Sequence, residues 1–213
     1  MGTLIKSILS FPSDFSEEGL NTLATRILNE ICICNGKHKY HPIEIEFYIY
    51  DKENHPDTHV YPREAKAGDI FFHLSGMDIC FESSFEEKNG TIRFGGILIR
   101  ALEREDVKLT DNKPLLQFGG PLTCVNEVLN TSESLNDIQV VHCNHSSLSA
   151  KCIGKRKGIN QSKTLTDEYW NKKYRFLRDD LNVGDKITME SLSFDFKDKK
   201  IKEKHKRYYK IED

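Results

Sequence analysis

The chain has 213 residues, of which 38% are apolar and 30% charged, so it can bury a sizeable core and has the make-up of an ordinary globular protein. Its net charge of -2 and pI near 6.5 do not mark a nucleic-acid binder by bulk charge. No run approaches the roughly 18 consecutive apolar residues of a membrane span, and the first twenty residues lack the apolar length of a secretory signal.

The Gly at position 2 is not followed by the Ser or Thr that a myristoylation signal requires. Six cysteines (Cys32, Cys34, Cys80, Cys124, Cys143 and Cys152) are irregularly spaced and contain no CxxC pair. They read as free thiols in a reducing compartment, which predicts a cytoplasmic protein.

The first helix is predicted over residues 16–34. Ser16 is placed to cap it, Glu17 and Glu18 suit its positive end, and Leu20, Leu23, Ile27 and Ile31 form its apolar stripe. The run "HPIEIEFYIYD" then alternates as a strand does, with Ile43, Ile45, Phe47 and Ile49 on one face and Glu44, Glu46, Tyr48 and Tyr50 on the other. That second side reads either as a wet sheet face or as one wall of a site.

With that run at 43–50, strands are predicted at 43–50, 69–74, 76–83, 91–102 and about 138–142. The Gly95-Gly96 pair within the fourth of these predicts a bulge or a close backbone approach. "GGPLTCVNEVLN" reads as a short helix opened by Pro121. "YWNKKYRFLRDD" and "KITMESLSFDF" read as strands, and the charged tail from about 195 to 213 as a sheet edge or a frayed end. The expected architecture is one α+β domain, a curved and mostly antiparallel sheet with flanking helices.

Charge is uneven along the chain. Residues 1–110 hold 12 Lys+Arg against 18 Asp+Glu, whereas 151–180 hold nine against four. The basic segment is either an ordinary solvated surface or a face for phosphate. His142, Cys143, Asn144 and His145 match no usual zinc spacing, so no metal and no cofactor are expected. Cys80, inside "MDICF", reads as core rather than nucleophile. Arg100, flanked by apolar residues in "GGILIRALE", either snorkels to solvent or needs an anionic partner such as Glu46.

The pieces "EIEFY", "HVYPR", "IFFHLSGMDICFES", "ILIRALE", "GPLTC", "RKGI" and "YRFL" stand in an order that resembles the alkyladenine (3-methyladenine, methylpurine) DNA glycosylases, which are base-excision repair enzymes. In that family the series reads "ETEAY", a histidine, "YVYxxYGMxxCxN", "VLIRALEP", "GPxKL", "RIG(I/V)" and "RFY". The resemblance spans roughly residues 40–180 and implies a methylpurine-DNA-glycosylase-like core. It also implies hydrolysis of the N-glycosidic bond of an altered base in DNA.

The resemblance makes Glu46 the acid that activates water, Arg100 the residue that helps hold the water-activating group, and His59, or else His55, the pocket histidine. Family spacing places that histidine at Asp57, between the two. Tyr48 and Phe72 become opposing aromatic walls for a flipped base, with His73 and Asp78 as added polar neighbours. The chain also departs from the pattern. Ser75 stands where an intercalating tyrosine is expected, Glu82 where an asparagine screens the purine edge, and Thr123 where a lysine belongs. With Ser75, the residues Lys155, Arg156, Lys157, Lys172, Lys173 and Arg175 are the expected DNA contacts. The alternative is a non-catalytic or small-ligand member of the same scaffold that binds a nucleobase, nucleotide or nucleic acid, and oligomeric state is not legible in the sequence.

Overall fold

A computed structural model describes residues 2–86, 91–106, 118–144, 149–159 and 168–178. The chain opens with α1 (Thr3–Ile8) and α2 (Glu17–Glu30). Ser16 caps α2 as expected, its hydroxyl accepting from the Gly19 N–H at 3.1 Å while Asp14 accepts from the Ser16 N–H. The helix is shorter than the 16–34 expectation. It ends at Glu30, and Ile31–Asn35 form strand β1. Alternating β-branched residues there find two strands to pair with, and pairing outweighs the helical register of Ile31.

The long strands β2 (Lys39–Asp51) and β7 (Thr91–Arg104) run antiparallel at the centre of the sheet. Around them lie β3 (His55–Pro56), β4 (Ile70–His73), β5 (Gly76–Cys80), β6 (Ser84–Glu86) and β8 (Phe118–Gly119). After α3 (Pro121–Asn130) come β9 (Ile138–His142), β10 (Ala150–Gly154) and β11 (Arg175–Arg178). Among the described residues these make one eleven-stranded antiparallel sheet in the order β10-β11-β2-β7-β5-β4, with β1, β3, β6, β8 and β9 paired off that path. The result is a single α+β domain with a curled sheet. None of the described helices is long and apolar enough to cross a membrane.

The expected strands at 43–50, 69–74, 76–83, 91–102 and 138–142 correspond to β2, β4, β5, β7 and β9. Pro121 opens α3, as its fixed φ favours. The segment expected as a strand from Tyr169 onward begins instead as a 3₁₀ turn over Tyr169–Asn171, and pairing starts only at Arg175. The strand expected at 186–196 and the charged tail lie outside the described residues.

Ile45, Phe47, Ile49, Ile79, Ile97, Ile99 and Phe176 pack with Leu20, Ala24, Ile27 and Leu28 of α2 in the apolar core. Burying each such large side chain contributes roughly 1.5–3 kcal/mol. The opposite side of β2 is not a wet face, because Glu44 and Glu46 are both 0% exposed. Gly95 and Gly96 mark close approach rather than a bulge. A Cβ on Gly95 would run into the Tyr48 carbonyl, and one on Gly96 would sit 2.8 Å from the Ile79 carbonyl oxygen and against the Arg63 guanidinium. The register irregularity of this pair of strands falls at Pro42–Ile45 instead.

The free-thiol expectation is corrected at two positions. Cys32 and Cys143 form a disulfide across 111 residues of sequence, while Cys34, Cys80, Cys124 and Cys152 take part in no disulfide among the described residues.

Candidate functional site

Strand pairing sets the floor of the site. Arg175 pairs with Glu46, Glu46 with Leu98, and Leu98 with Asp78, so one row crosses β11, β2, β7 and β5. Side chains of directly paired residues share a face, which gathers two acids around one leucine. The next row holds Tyr48, Gly96 and Cys80. The missing side chain at Gly96 leaves space that Arg63 occupies. Over this floor lies a cavity of about 600 Å³, walled by residues 58–63, by His73 and Ser75 of the β4–β5 hairpin, by Pro121 of α3 and by Lys157–Ile159. That volume is within the range of small-molecule sites, roughly 300–1,000 Å³.

Glu46 sits one side chain behind the wall formed by Tyr48, Arg100 and Lys157. Its Oε2 lies 2.9 Å from Arg100 Nη1 and accepts from the Tyr48 hydroxyl at 3.2 Å, and its Oε1 accepts from the Lys157 backbone N–H at 2.8 Å. Arg100 also donates through Nε to Glu44 Oε1 at 3.1 Å, and Arg175 Nε donates to the same oxygen at 2.5 Å. Arg100 is thus a buried cation between two carboxylates, and not a snorkelling surface residue.

Burial pushes the Glu46 carboxyl above the ordinary glutamate range. Arg100 and the Lys157 N–H pull against that shift, and Glu44 adds to it. The Tyr48 phenol is pushed up as well, by burial first and by Glu46 second, so it remains a proton donor.

A second chain of contacts supports this wall. The Arg156 guanidinium lies 4.7 Å from the centroid of the Tyr48 ring and 5.5 Å from that of Tyr174. Its Nη1 donates to Asp57 Oδ2 at 2.6 Å. Asp57, fully buried, accepts on Oδ1 from the His59 backbone N–H and lies 3.2 Å from His59 Nδ1. His59 borders the cavity, so a carboxylate orients its ring.

His55 is elsewhere. Its Nδ1 meets the Ile49 carbonyl and its Nε2 the Tyr174 hydroxyl, both at 2.8 Å, and burial lowers its pKa. Of the two candidate histidines, only His59 is brought to the cavity.

The facing wall belongs to the β4–β5 hairpin. Asp78 accepts from Arg63 Nη2 at 2.7 Å and lies 3.1 Å from His73 Nε2. The Ser75 backbone N–H donates to His73 Nδ1 at 3.2 Å, which holds the ring with Nε2 turned toward Asp78.

Several expected site residues are placed differently. Phe72 packs toward the apolar core, since the two-residue turn at Leu74 and Ser75 puts Phe71 and His73 on the cavity side of β4. No second ring at Phe72 therefore faces Tyr48, and Tyr61 and His73 border the cavity instead. Glu82 is exposed beyond β5, where it accepts from the Ala67 N–H, away from the cavity. Arg156 and Arg175 are 3% and 2% exposed and locked in ion pairs, so they are internal cations and not phosphate contacts.

Lys155 lies over the Trp170 ring, and Lys172 and Lys173 border a separate groove with Phe15 and Tyr174. Lys157 and Ser75 border the cavity itself. Burial raises the Cys80 thiol to about 11, in keeping with a core residue.

Sequence reasoning missed the roles of Arg63, Asp57 and Tyr61. All three lie in the 55–63 stretch, where the ion-pair partners of Asp57 and Arg63 are 99 and 15 positions away. It also missed a buried group of Cys32, His41 and Cys143, whose potential ligand atoms all lie within 4.8 Å of one another.

No family model matches the chain. It is similar to an uncharacterized protein of Acanthamoeba polyphaga mimivirus, at 29% identity over 140 residues. The match spans 57% of this chain and 61% of the relative, somewhat under two thirds of the latter's length.

Proposed function

We propose that the protein is a monofunctional DNA glycosylase that hydrolyses the N-glycosidic bond of a damaged or modified base, on a scaffold like that of the alkyladenine DNA glycosylases. The observation that carries this reading is the Glu46 cluster. A buried carboxylate with a raised pKa stands behind a cavity wall, held on both oxygens by Arg100, Tyr48 and the Lys157 N–H, with Asp57-oriented His59 on the same cavity.

In this mechanism a water oxygen bonds to the sugar carbon, the carbon–nitrogen bond breaks, and the base departs with the electron pair. Glu46 takes the water proton, for which a carboxylate with raised pKa is the better base at neutral pH. Arg100 holds the carboxylate in place, and the Tyr48 ring, backed by Arg156, gives the flipped base a stacking surface. Leu74, 98% exposed at the hairpin tip beside the cavity-lining Ser75, is an apolar group that could enter the gap left by the base.

A second reading, binding of a nucleobase or nucleotide without hydrolysis, draws on two facts. Both oxygens of Glu46 already have partners, and Ser75 is too small to hold a base stack open.

The two readings separate in an abasic-site release assay, using single- and double-stranded oligonucleotides that carry varied modified bases. The glycosylase reading expects release of at least one such base with multiple turnovers. Binding of the same oligonucleotides with no release from any of them would leave the second reading standing.

A further inference from the structure

We propose that Cys32, His41 and Cys143 form a binding site for a thiophilic divalent cation, zinc foremost, which becomes available when the Cys32–Cys143 disulfide is reduced. The site involves none of the residues that line the cavity, and it does not depend on the glycosylase reading.

The sheet brings the three donors together. In the β1–β2 register Ile33 pairs with Tyr40, so one further step sets Cys32 beside His41. On the other side of β1, Ile31 pairs with His142, and the Cys143 N–H donates to the Glu30 carbonyl at 2.9 Å, continuing that ladder. Cys32 and Cys143 lie 6.0 Å apart at Cα. His41 Nδ1 is 3.3 Å from Cys32 Sγ and 3.8 Å from Cys143 Sγ.

A tetrahedral zinc with bonds of roughly 2.3 Å to sulfur and 2.0–2.1 Å to nitrogen places its ligand atoms roughly 3.5–3.8 Å from one another. The nitrogen–sulfur distances are already close to those values, so only the two sulfurs need to separate.

The histidine makes this more than a structural disulfide. Disulfide sulfurs are uncharged and accept hydrogen bonds weakly, so they give an imidazole nitrogen little reason to point at them. Cys32, His41 and Cys143 are 0%, 6% and 5% exposed. Two bare thiolates at such depth would be costly, whereas a divalent cation neutralises both. Two thiolates and an imidazole are also the donor types that favour zinc over harder cations.

The chemistry balances with a dithiol as reductant. The S–S bond takes up two electrons and two protons to give two thiols, and the dithiol becomes a disulfide. The cation then displaces both thiol protons, forms two metal–sulfur bonds and accepts the lone pair of Nδ1. A water or other small ligand completes four-coordination.

The test uses the full chain, reduced under anaerobic conditions with a phosphine, freed of reductant and titrated with Co²⁺ followed by Zn²⁺. One equivalent of Co²⁺ should bind with thiolate-to-cobalt charge-transfer absorption, and Zn²⁺ should displace it. The oxidised chain of unaltered sequence should bind none. The Cys32→Ser, Cys143→Ser double variant should lose the signal. His41→Ala should weaken binding beyond the roughly 10–100-fold typical of losing an outer-shell partner. X-ray absorption of the zinc-loaded unaltered chain should find two sulfur donors and one imidazole nitrogen. Equal uptake by the reduced and oxidised chains, unchanged affinity in His41→Ala, or a metal shell without nitrogen would overturn the proposal.

Discussion

Two buried carboxylates flank Leu98, Glu46 from β2 and Asp78 from β5, and each is clamped by an arginine. The Asp78 side is closed. One oxygen is held by Arg63, the other meets His73, and the remaining ring nitrogen of His73 is occupied by the Ser75 N–H. Such a circuit fixes the shape of the hairpin and the orientation of the ring that faces the cavity. The Glu46 side is more strained electrostatically. Its arginine is shared with a second acid, Glu44, whose other oxygen has no hydrogen-bond partner among the described residues, and its carboxyl is pushed upward by burial. The same pairing of carboxylate and arginine therefore builds a fully partnered wall on one side and, in the proposed function, a poised base on the other.

The largest expected effect comes from removing the shared cation. Arg100→Ala should destabilise the fold by about 3–5 kcal/mol, because it takes the arginine from the buried Glu46 and leaves Glu44 to Arg175 alone, and denaturant unfolding measures it. Arg63→Ala should cost less, since His73 still contacts Asp78. Equal losses would mean that the two walls do not differ as described. Gly96→Ala comes next, at about 1–3 kcal/mol, because the new methyl group meets the Ile79 carbonyl and the guanidinium of Arg63. It should perturb the Asp78 wall before the Glu46 wall, and chemical shifts of His73 and His59 would report which moves.

The pH profile sharpens the comparison further. A folded-state pKa raised above the unfolded value favours the protonated carboxyl. Any stability Glu46 contributes on this account is complete below the unfolded pKa, near 4.3, and is lost as pH rises through the folded value. Base activity has the opposite sense. It requires the ionised form, so turnover should fall as pH drops through that same raised value, with an acidic limb above the ordinary glutamate range. A limb at or below about 4.3 would remove the distinction between the two acids. The smallest effect is expected at the hairpin tip. Leu74→Ala should lower release from duplex oligonucleotides severalfold and leave single-stranded release unchanged, as compared by initial rates.

Much of the Glu46 wall was legible because it lies on long strands. Alternation along 43–50 puts Glu46 and Tyr48 on one face, while it is the β2–β7 register that brings Arg100 to that face. The Asp78 wall was harder to read. In a four-residue strand the identity of the buried face depends on where the turn falls, and a turn at Leu74 and Ser75 sends Phe72 to the core.

The basic residues misled for a different reason. A run of cations shows charge but not partners, and the partners of Arg156 and Arg175 are 99 and 131 positions away. The disulfide was hidden in the same way, since Cys32 and Cys143 meet only because β1 pairs with β9. At Ile31 the helical stripe continued past the true end of α2, and only the β-branched pattern that follows betrays the strand.

The central claim is that Glu46 serves as a base and not merely as a buried partner for Arg100. Glu46→Gln keeps the size of the side chain and its capacity to accept from Tyr48 or the Lys157 N–H. The direct measurement is single-turnover base release by this variant beside the unaltered chain, with oligonucleotide binding measured in parallel. The account predicts that release falls by about 10²-fold or more while binding is retained. Release that persists at the unaltered rate in a folded, binding-competent Glu46→Gln chain would contradict it.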